Sequence, residues 1–339
     1  YPFLKHQFLL GLEKTGCTTA KKGWAPKHIV EYADDQKTIV GALPCYEKTH
    51  SYGEYIFDWA WADAYYRHGV DYYPKLSSAV PFTPASGQRF LVSQNKELTQ
   101  SSPSSSANLY ANQVAKLVKR ARDYCSENGL SGWHGLFINE QEAAYFDNDP
   151  NTFVRHSNQF HWQNQGYSDF DDFLNCLNAK KRKNIKRERR RITEQEITYK
   201  WFSKGDLTPE VMQTMYAFYA RTIQMYGAQA YLNRDFFDYL AEHFADNTLV
   251  LLASFRGQTI AGGLYFKGDN TLYGRYWGAM HNFHSVHFET CYYQAIEWCI
   301  EHGYSRFEAG AQGEHKHARG LSPSRTYSAH WLQEPQFHA

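Results

Sequence analysis

The densest chemistry in this 339-residue chain lies between Glu308 and Arg319. Glu308, Gln312, Glu314, His315, Lys316, His317 and Arg319 stand there among small residues. The stretch combines carboxylates, an amide, imidazoles, an ammonium and a guanidinium. Such a set can take or give a proton near neutral pH and can hold an anion. A loop that merely connects two elements needs no such mixture, whereas functional polar groups gather on loops held by a rigid scaffold. Upstream, Arg275-Tyr276-Trp277-Gly278 closes an apolar run, and Glu289 follows in the first turn of a predicted helix, beside His287.

The elements that position these residues can be read on both sides. Phe288, Tyr292, Ala295, Ile296 and Cys299 make the apolar stripe of a helix over about Val286–His302, packed on a sheet. Ser285 is the expected N-cap and Gly303 the expected residue beyond the C-cap. At i, i+4 spacing Glu289, Tyr293 and Glu297 share a second face. Glu297 is expected in solvent, and Glu289 near the polar loop. Leu249–Phe255, Thr259–Phe266 and Leu272–Trp277 read as strands joined by tight turns, with a further strand at Phe307. The order strand, strand, strand, helix, strand predicts an antiparallel meander joined to a crossover, on an α/β or α+β plan.

Part of that order recurs. Ile29–Tyr32 leads through Gln36 to Thr38-Ile39-Val40-Gly41-Ala42-Leu43, and Leu251–Ser254 leads through Gln258 to Thr259-Ile260-Ala261-Gly262-Gly263-Leu264. Two similar domains are therefore expected, 1–155 and 156–339, a number that the length also favours. Asn108–Asn128 reads as a long helix and Trp133–Ile138 as a strand. Ser101–Ser106 is low in complexity and is expected to be a mobile surface loop.

With 36 basic and 35 acidic residues, the chain as a whole has no bulk attraction for polyanions. Its positive charge is concentrated: nine of the twelve residues from Lys180 to Arg191 are basic. Ser168 with Asp171 forms a capping-box pattern, and Phe170, Phe173, Leu174 and Leu177 would anchor a helix whose second half projects those cations. Lys181, Arg182, Lys183 and Arg187 then suit the phosphates of a coenzyme, a nucleotide-linked substrate or RNA. Aromatic residues reach 17%, with a cluster at Tyr52, Tyr55, Trp59, Trp61, Tyr65 and Tyr66. There is no run near the ~20 apolar residues of a spanning helix and no secretory leader pattern. The first residue is Tyr1 rather than methionine, as expected if an upstream piece had been removed. Six cysteines without paired or metal-like spacing point to reduced thiols and a cytoplasmic setting. His281, His284 and His287 recur every three residues, with His315 and His317 farther on. No H-E-x-x-H pattern supports them, and no functional metal is expected.

Several phrases resemble a known family. They are His161-Trp162-x-Asn164-x-Gly166-Tyr167, Phe170-Asp171-Asp172-Phe173, Lys181-Arg182-Lys183-Asn184-Ile185, Gly274-Arg275-Tyr276-Trp277-Gly278, His287-Phe288-Glu289-x-Cys291-Tyr292-Tyr293 and Glu308-x-Gly310-Ala311-Gln312-Gly313-Glu314-His315-Lys316. His50–Tyr55 and Phe57–Ala62 add to them in the first half. Together they are similar to predicted N-acyltransferases of the GNAT superfamily, in the group labelled peptidoglycan biosynthesis or recognition. More distantly they are similar to the Fem-type aminoacyl transferases, which carry two tandem GNAT domains. The resemblance implies an α+β fold of two GNAT-like domains, each a mixed, mostly antiparallel sheet flanked by helices. It also implies an acyl group delivered by acyl-CoA or aminoacyl-tRNA, no tightly bound cofactor, and a small-molecule or peptidoglycan-precursor amine as acceptor. Arg275-Tyr276-Trp277-Gly278 begins like the pyrophosphate loop of coenzyme-dependent members, but Met280 stands where they carry Gly or Ala.

Acyl transfer to an amine needs a base for the ammonium, donors for the oxyanion and a proton for the leaving group. Glu289, Glu308 and His315 are the candidate bases. Lys316, Arg319 and Gln312 are candidate donors to an oxyanion, carboxylate or phosphate, with Arg275, Tyr276 and Glu314 also facing substrate. Tyr52, Glu54, Asp58 and Trp61 are expected to bind the acceptor, with Trp59 as a further wall. No Ser-His-Asp order stands out and Cys291 lies on a packed helix, so direct attack in a ternary complex is expected. Two alternatives remain: an aminoacyl-tRNA-dependent Fem-like enzyme, and a non-catalytic module that binds cell-wall peptide or nucleic acid.

Overall fold

The computed structural model describes residues 1–93, 103–281, 283–311 and 313–337. In chain order the main elements begin with α1 (His6–Lys14), β1 (Trp24–Pro26), β2 (Ile29–Tyr32), β3 (Ile39–Leu43) and β4 (Tyr46–Lys48). Then come α2 (Trp59–Arg67), β5 (Lys75–Ser78), β6 (Leu91–Val92), α3 (Pro103–Glu127), β7 (Gly132–Ile138) and α4 (Glu140–Tyr145). β8 (Phe153–Gln163), α5 (Phe170–Asn175), α6 (Ala179–Glu194), β9 (Ile197–Ser203), α7 (Pro209–Met225) and α8 (Arg234–His243) follow. The last are β10 (Thr248–Phe255), β11 (Gln258–Lys267), β12 (Thr271–Ala279), α9 (Val286–Phe288), α10 (Gln294–Glu301), β13 (Arg306–Glu308) and β14 (Ser322–Leu332).

Two compact units result, each made of two stretches of chain. One comprises Tyr1–Cys17 and Asn158–Ser324, the other Thr18–Ser157 and Arg325–Ala339. In the first unit β10, β11 and β12 form the expected antiparallel meander, β9 adds an unforeseen antiparallel strand beside β10, β13 joins β12 in parallel, and β8 pairs antiparallel with β13. Strand alternation sends Leu249, Leu251, Tyr265 and Phe307 to one face, where they meet Phe170, Phe173, Leu174, Ile185, Tyr292, Ile296 and Cys299 from the flanking helices. The opposite face takes α7, which comes so close that Cβ atoms at Gly262 and Gly278 would lie 3.0 Å from Met215 Sδ and 2.1 Å from the Phe218 carbonyl oxygen. α1 packs on α8 through Gly11, where a Cβ would meet the Tyr239 ring at 2.5 Å.

The second unit has the sheet order β1-β4-β5-β7-β14, with β5 and β7 parallel and the other pairs antiparallel. A smaller sheet holds β2, β3 and β6. On α3, Val114, Leu117, Val118, Ala121 and Cys125 form one apolar stripe, buried with Leu43, Leu76 and Trp133. Both repeated hairpins form, and each carries a register shift, at Glu31/Tyr32 and at Ala253/Ser254. They occupy different places: the first lies in the small sheet and the second in the large one, next to its edge strand β9.

Several local expectations are corrected. Pro103–Ser106 belong to α3 rather than to a loop, Pro103 opening the helix where its missing N–H costs nothing; Ser101 and Ser102 lie outside the described residues. The helix expected to carry the basic run is broken in two. α5 is capped by Asp169, which accepts from the Asp172 amide at 2.8 Å, so the cap lies one residue beyond Ser168. After the break Asn178 starts α6 by accepting from the Lys181 amide at 2.9 Å. Ser285 does stand at the N-cap, but with φ 70° and no side-chain cap bond. All six cysteines are free thiols. No helix among the described residues is long and apolar enough to cross a membrane.

Candidate active site

The first unit's site is prepared by two irregularities in the sheet. Between β11 and β12 the register runs Leu264↔Tyr276, then Tyr265↔Gly274, so Arg275 is an extra residue in β12. β12 and β13 pair only over Thr271↔Arg306, Leu272↔Phe307 and Tyr273↔Glu308. Beyond Glu308 the chain leaves β12, which continues to Ala279, and forms the motif loop. A 3-10 turn over Glu314–Arg319 returns it, and there buried Lys316 donates from Nζ to the Gly310 carbonyl at 2.7 Å. Gly310 holds φ at +83°, which explains a glycine in the motif. Burial pulls the Lys316 ammonium down to about 8, with the Cys291 thiol opposing and the Arg275 cation adding to the effect.

Around Lys316 gathers a cationic and aromatic cluster. His315 Nε2 shares a hydrogen bond with the Tyr292 hydroxyl at 2.8 Å, and its ring centroid lies 6.1 Å from that of His287. Arg319 lies over the Phe288 ring at 3.4 Å and donates to the His315 carbonyl at 3.0 Å and to Glu188 Oε1 at 3.0 Å. Glu188 also accepts from the Tyr293 hydroxyl. Burial first, then His315, Arg319 and Lys316, push His287 down to about 4; partial burial and the two cations also lower His315. Both imidazoles are thus neutral near pH 7 and free of the charge that would repel a cationic or ammonium-bearing group.

Glu289 belongs to a second cluster. It is 2% exposed and opens a π-helical turn, Glu289–Tyr293, between α9 and α10. Its Oε1 accepts from Arg189 Nε at 3.2 Å and from Gln294 Nε2 at 2.8 Å, while Oε2 has no hydrogen-bond partner among the described residues. Arg189 also clamps Glu297 at 3.1 and 2.6 Å, so Glu297 is held in an ion pair rather than standing free in solvent. Two carboxylates share one guanidinium. Burial raises the Glu289 carboxyl above the ordinary range, against the pull of Arg189 and Gln294. Glu289 lines a cavity of about 610 Å³ with Arg189, Gln294, Tyr199, Phe170, Lys186 and Arg190. Glu308, by contrast, is held by Arg306 at 3.2 Å with His161 at 3.9 Å.

The structure places the remaining candidates as follows. Tyr276 and Arg275 lie in β12, and Tyr276 meets Tyr219 of α7 edge-on at 4.9 Å. Gln312 lies outside the described residues, and Glu314 begins the 3-10 turn. On α6, Lys183 and Arg187 face solvent. Lys181 Nζ lies 3.4 Å from His317 Nε2, and Arg182 donates to the Leu177 carbonyl at 3.2 Å, which ties α6 to the end of α5. The pyrophosphate-loop pattern does not form a loop: Arg275–Ala279 are strand, and Gly278 makes room for α7. Among the described residues no three His, Cys, Asp or Glu side chains gather as metal ligands would.

In the second unit, Glu54 and Asp58 are buried and joined by Lys75, whose ammonium donates to Glu54 at 2.7 Å, to Asp58 and to Ser51 at 2.9 Å. Tyr72 donates to Asp58 at 2.7 Å, and His134 and His330 share a hydrogen bond at 2.8 Å. Above this network Trp61 is capped by Arg155 at 5.0 Å, whereas Tyr52 and Trp59 are about three-fifths exposed (61% and 62%). Lys75, His134, His330 and Arg189 escaped sequence reasoning. For Arg189 a signal existed, since it falls between Ile185 and Ile192 on the buried stripe of α6. For Lys75, alone in the strand Lys75-Leu76-Ser77-Ser78, none did.

Meander, crossover, splayed strands and motif loop together define a mixed, mostly antiparallel sheet flanked by helices that carries two polar clusters. The whole chain, residues 1–339, matches the FemAB-like family, described as peptidoglycan biosynthesis/recognition, and the protein belongs to that family. No curated protein matches it in sequence. Solved structures share the fold at low identity. FemX is 10% identical, covering 98% of this chain and 92% of its own, with a TM-score of 0.58. L-PGS from Bacillus licheniformis is 9% identical, covering 96% and 90%, with a TM-score of 0.56. The C-terminal domain of a putative lysylphosphatidylglycerol synthetase from Agrobacterium fabrum is 9% identical, covering 89% and 84%, with a TM-score of 0.56.

Proposed function

We propose that this protein transfers an acyl or aminoacyl group to an amine by direct attack, with Glu289 as the base. The observation that carries the reading is Glu289 itself: a buried carboxylate with raised basicity and one unpartnered oxygen, at the wall of a cavity. An ammonium entering that cavity loses a proton to Oε2. Its neutral nitrogen then attacks the acyl carbonyl, the N–C bond forms, and the bond to the carrier oxygen breaks. The second proton lost by nitrogen passes to the departing oxygen. At that cavity the positive charge for the oxyanion comes from Arg189, Lys186 and Arg190, while Lys316, Arg319 and Arg275 of the first cluster are proposed for carrier phosphates. Glu308 is the weaker candidate base because it does not line that cavity; each carboxylate has an arginine at 3.2 Å. Neutral His315, paired with Tyr292, is a proton relay within the cationic cluster.

The family suggests aminoacyl-tRNA as donor and a peptidoglycan precursor as acceptor, a cytoplasmic reaction. The exposed cations of α6 suit RNA phosphates. A strand in place of a pyrophosphate loop speaks against acyl-CoA. The test is a transfer assay offering charged tRNA or acyl-CoA together with a muropeptide amine. Amide formation from charged tRNA alone is expected, and Glu289→Gln should slow it about 10²–10⁴-fold while the fold persists. Full turnover by that variant removes Glu289 from the mechanism, and inertness of both donors removes the transferase reading.

A further inference from the structure

The π turn at Glu289–Tyr293 is costly and local, and such turns recur at functional sites. Its effect here is geometric. At about 100° per residue a straight α-helix would set Glu289 and Gln294 about 140° apart around the axis, and Glu289 and Glu297 about 80° apart. Yet Gln294 bonds Glu289 at 2.8 Å, and one guanidinium, Arg189, binds Glu289 at 3.2 Å and Glu297 at 2.6 Å. The extra residue of the π turn aligns all three.

One side chain outside the helix is placed to hold that turn. Tyr265 of β11, 2% exposed, donates its hydroxyl to the Thr290 carbonyl, in the middle of the turn. Its ring lies across two glycines: a Cβ at Gly263 would meet it at 2.8 Å and one at Gly274 at 3.4 Å. The ring therefore occupies space that side chains would take, next to the register shift at Leu264/Tyr265. Trp201 closes on it edge-on at 5.1 Å. The Thr290 hydroxyl adds a bond to Tyr199 at 3.3 Å.

We infer that Tyr265 is a positioning residue: its bond to Thr290 keeps the π turn open and so sets the Glu289 carboxylate on Arg189 and Gln294, at the wall of the cavity. The consequence for catalysis rests on the reading of Glu289 as base; the structural part does not. The charged and titratable groups around Glu289 are Arg189 and Lys186 and Arg190 from α6, Glu297 from α10, Asp171 from α5 and Tyr199 from β9.

Tyr265→Phe in the full chain tests this, because it deletes the hydroxyl and keeps the ring. Amide hydrogen exchange over Glu289–Gln294 should quicken, up to about tenfold, the factor set by one lost hydrogen bond. The carboxyl ¹³C titration of Glu289 should move from its wild-type midpoint. In the transfer assay kcat should fall, with KM kept and the acidic limb of the pH profile displaced. If Tyr265→Phe does not fold, Gln294→Leu removes the bond that exists only in the π turn and should shift the same readouts in the same direction. Wild-type exchange and an unmoved Glu289 midpoint overturn the inference. Should no transfer be found even in the wild type, the transferase reading fails while exchange and titration still decide the role of Tyr265.

Discussion

At Gly278 an added Cβ would stand 2.1 Å from the Phe218 carbonyl and 2.6 Å from Thr222 Oγ1. The obstacle is helix backbone, which cannot rotate aside. Gly278→Ala should therefore force α7 off β12 and cost about 1–3 kcal/mol in denaturant melts, as overpacking does. An unchanged midpoint would show that the helix can yield. Lys316 shows the converse case, a cation kept inside by one carbonyl acceptor, where burial and not a carboxylate partner sets its basicity. In the same way burial outweighs Arg189 in setting Glu289, because the one guanidinium must serve two carboxylates.

Among the elements, α6 divides its cations by face. Ile185 and Ile192 are buried, Arg189 turns inward to Glu289 and Glu297, and Lys183, Arg187 and Arg190 face solvent. Arg182 is spent on the end of α5. The outward set is the one available to a polyanion. Replacing Lys183 and Arg187 with alanine should weaken tRNA binding and lower the slope of log K against log salt by about 1–2, with thermal stability kept. A change in melting temperature alone would make the stretch structural. The sequence showed the charge but not this division, since one broken and recapped helix, at Asn178, fixes which way each residue points.

At the scale of the whole molecule, four of the described imidazoles, buried His134, His161 and His330 and half-buried His287, are held neutral. Burial lowers His134 and His330 well below the usual value, takes His287 to about 4 and His161 to about 3. Unfolded histidine takes up a proton near pH 6.5, so below that pH the unfolded state binds more protons and stability must fall as pH falls. At pH 5 each neutral imidazole forgoes on the order of 2 kcal/mol. Glu289 and Glu142, whose carboxyls are raised by burial, oppose this with a gain as they protonate. The imidazoles outnumber them, and the melting temperature should drop between pH 7 and pH 5 in calorimetry. A flat profile would mean that these histidines are charged or exposed in solution.

The sequence by itself determined the meander, the crossover helix, the long helix from Asn108 on, though not its first turn at Pro103, and the concentration of polar groups at Glu308–Arg319. All of these follow from short-range periodicity and turn residues, which a linear chain displays. It also carried the family phrases. Only the tertiary structure decided which polar groups meet. Glu289 and Glu297 share a face, as their spacing predicts, but a π turn held by Tyr265 from another strand brings Gln294 onto that face as well. Lys75 joins Glu54 and Asp58 because β5 passes beneath their loop, and Gly278 serves packing because α7 happens to lie there. Such outcomes depend on long-range burial and on where each helix rests on the sheet, which no local pattern encodes.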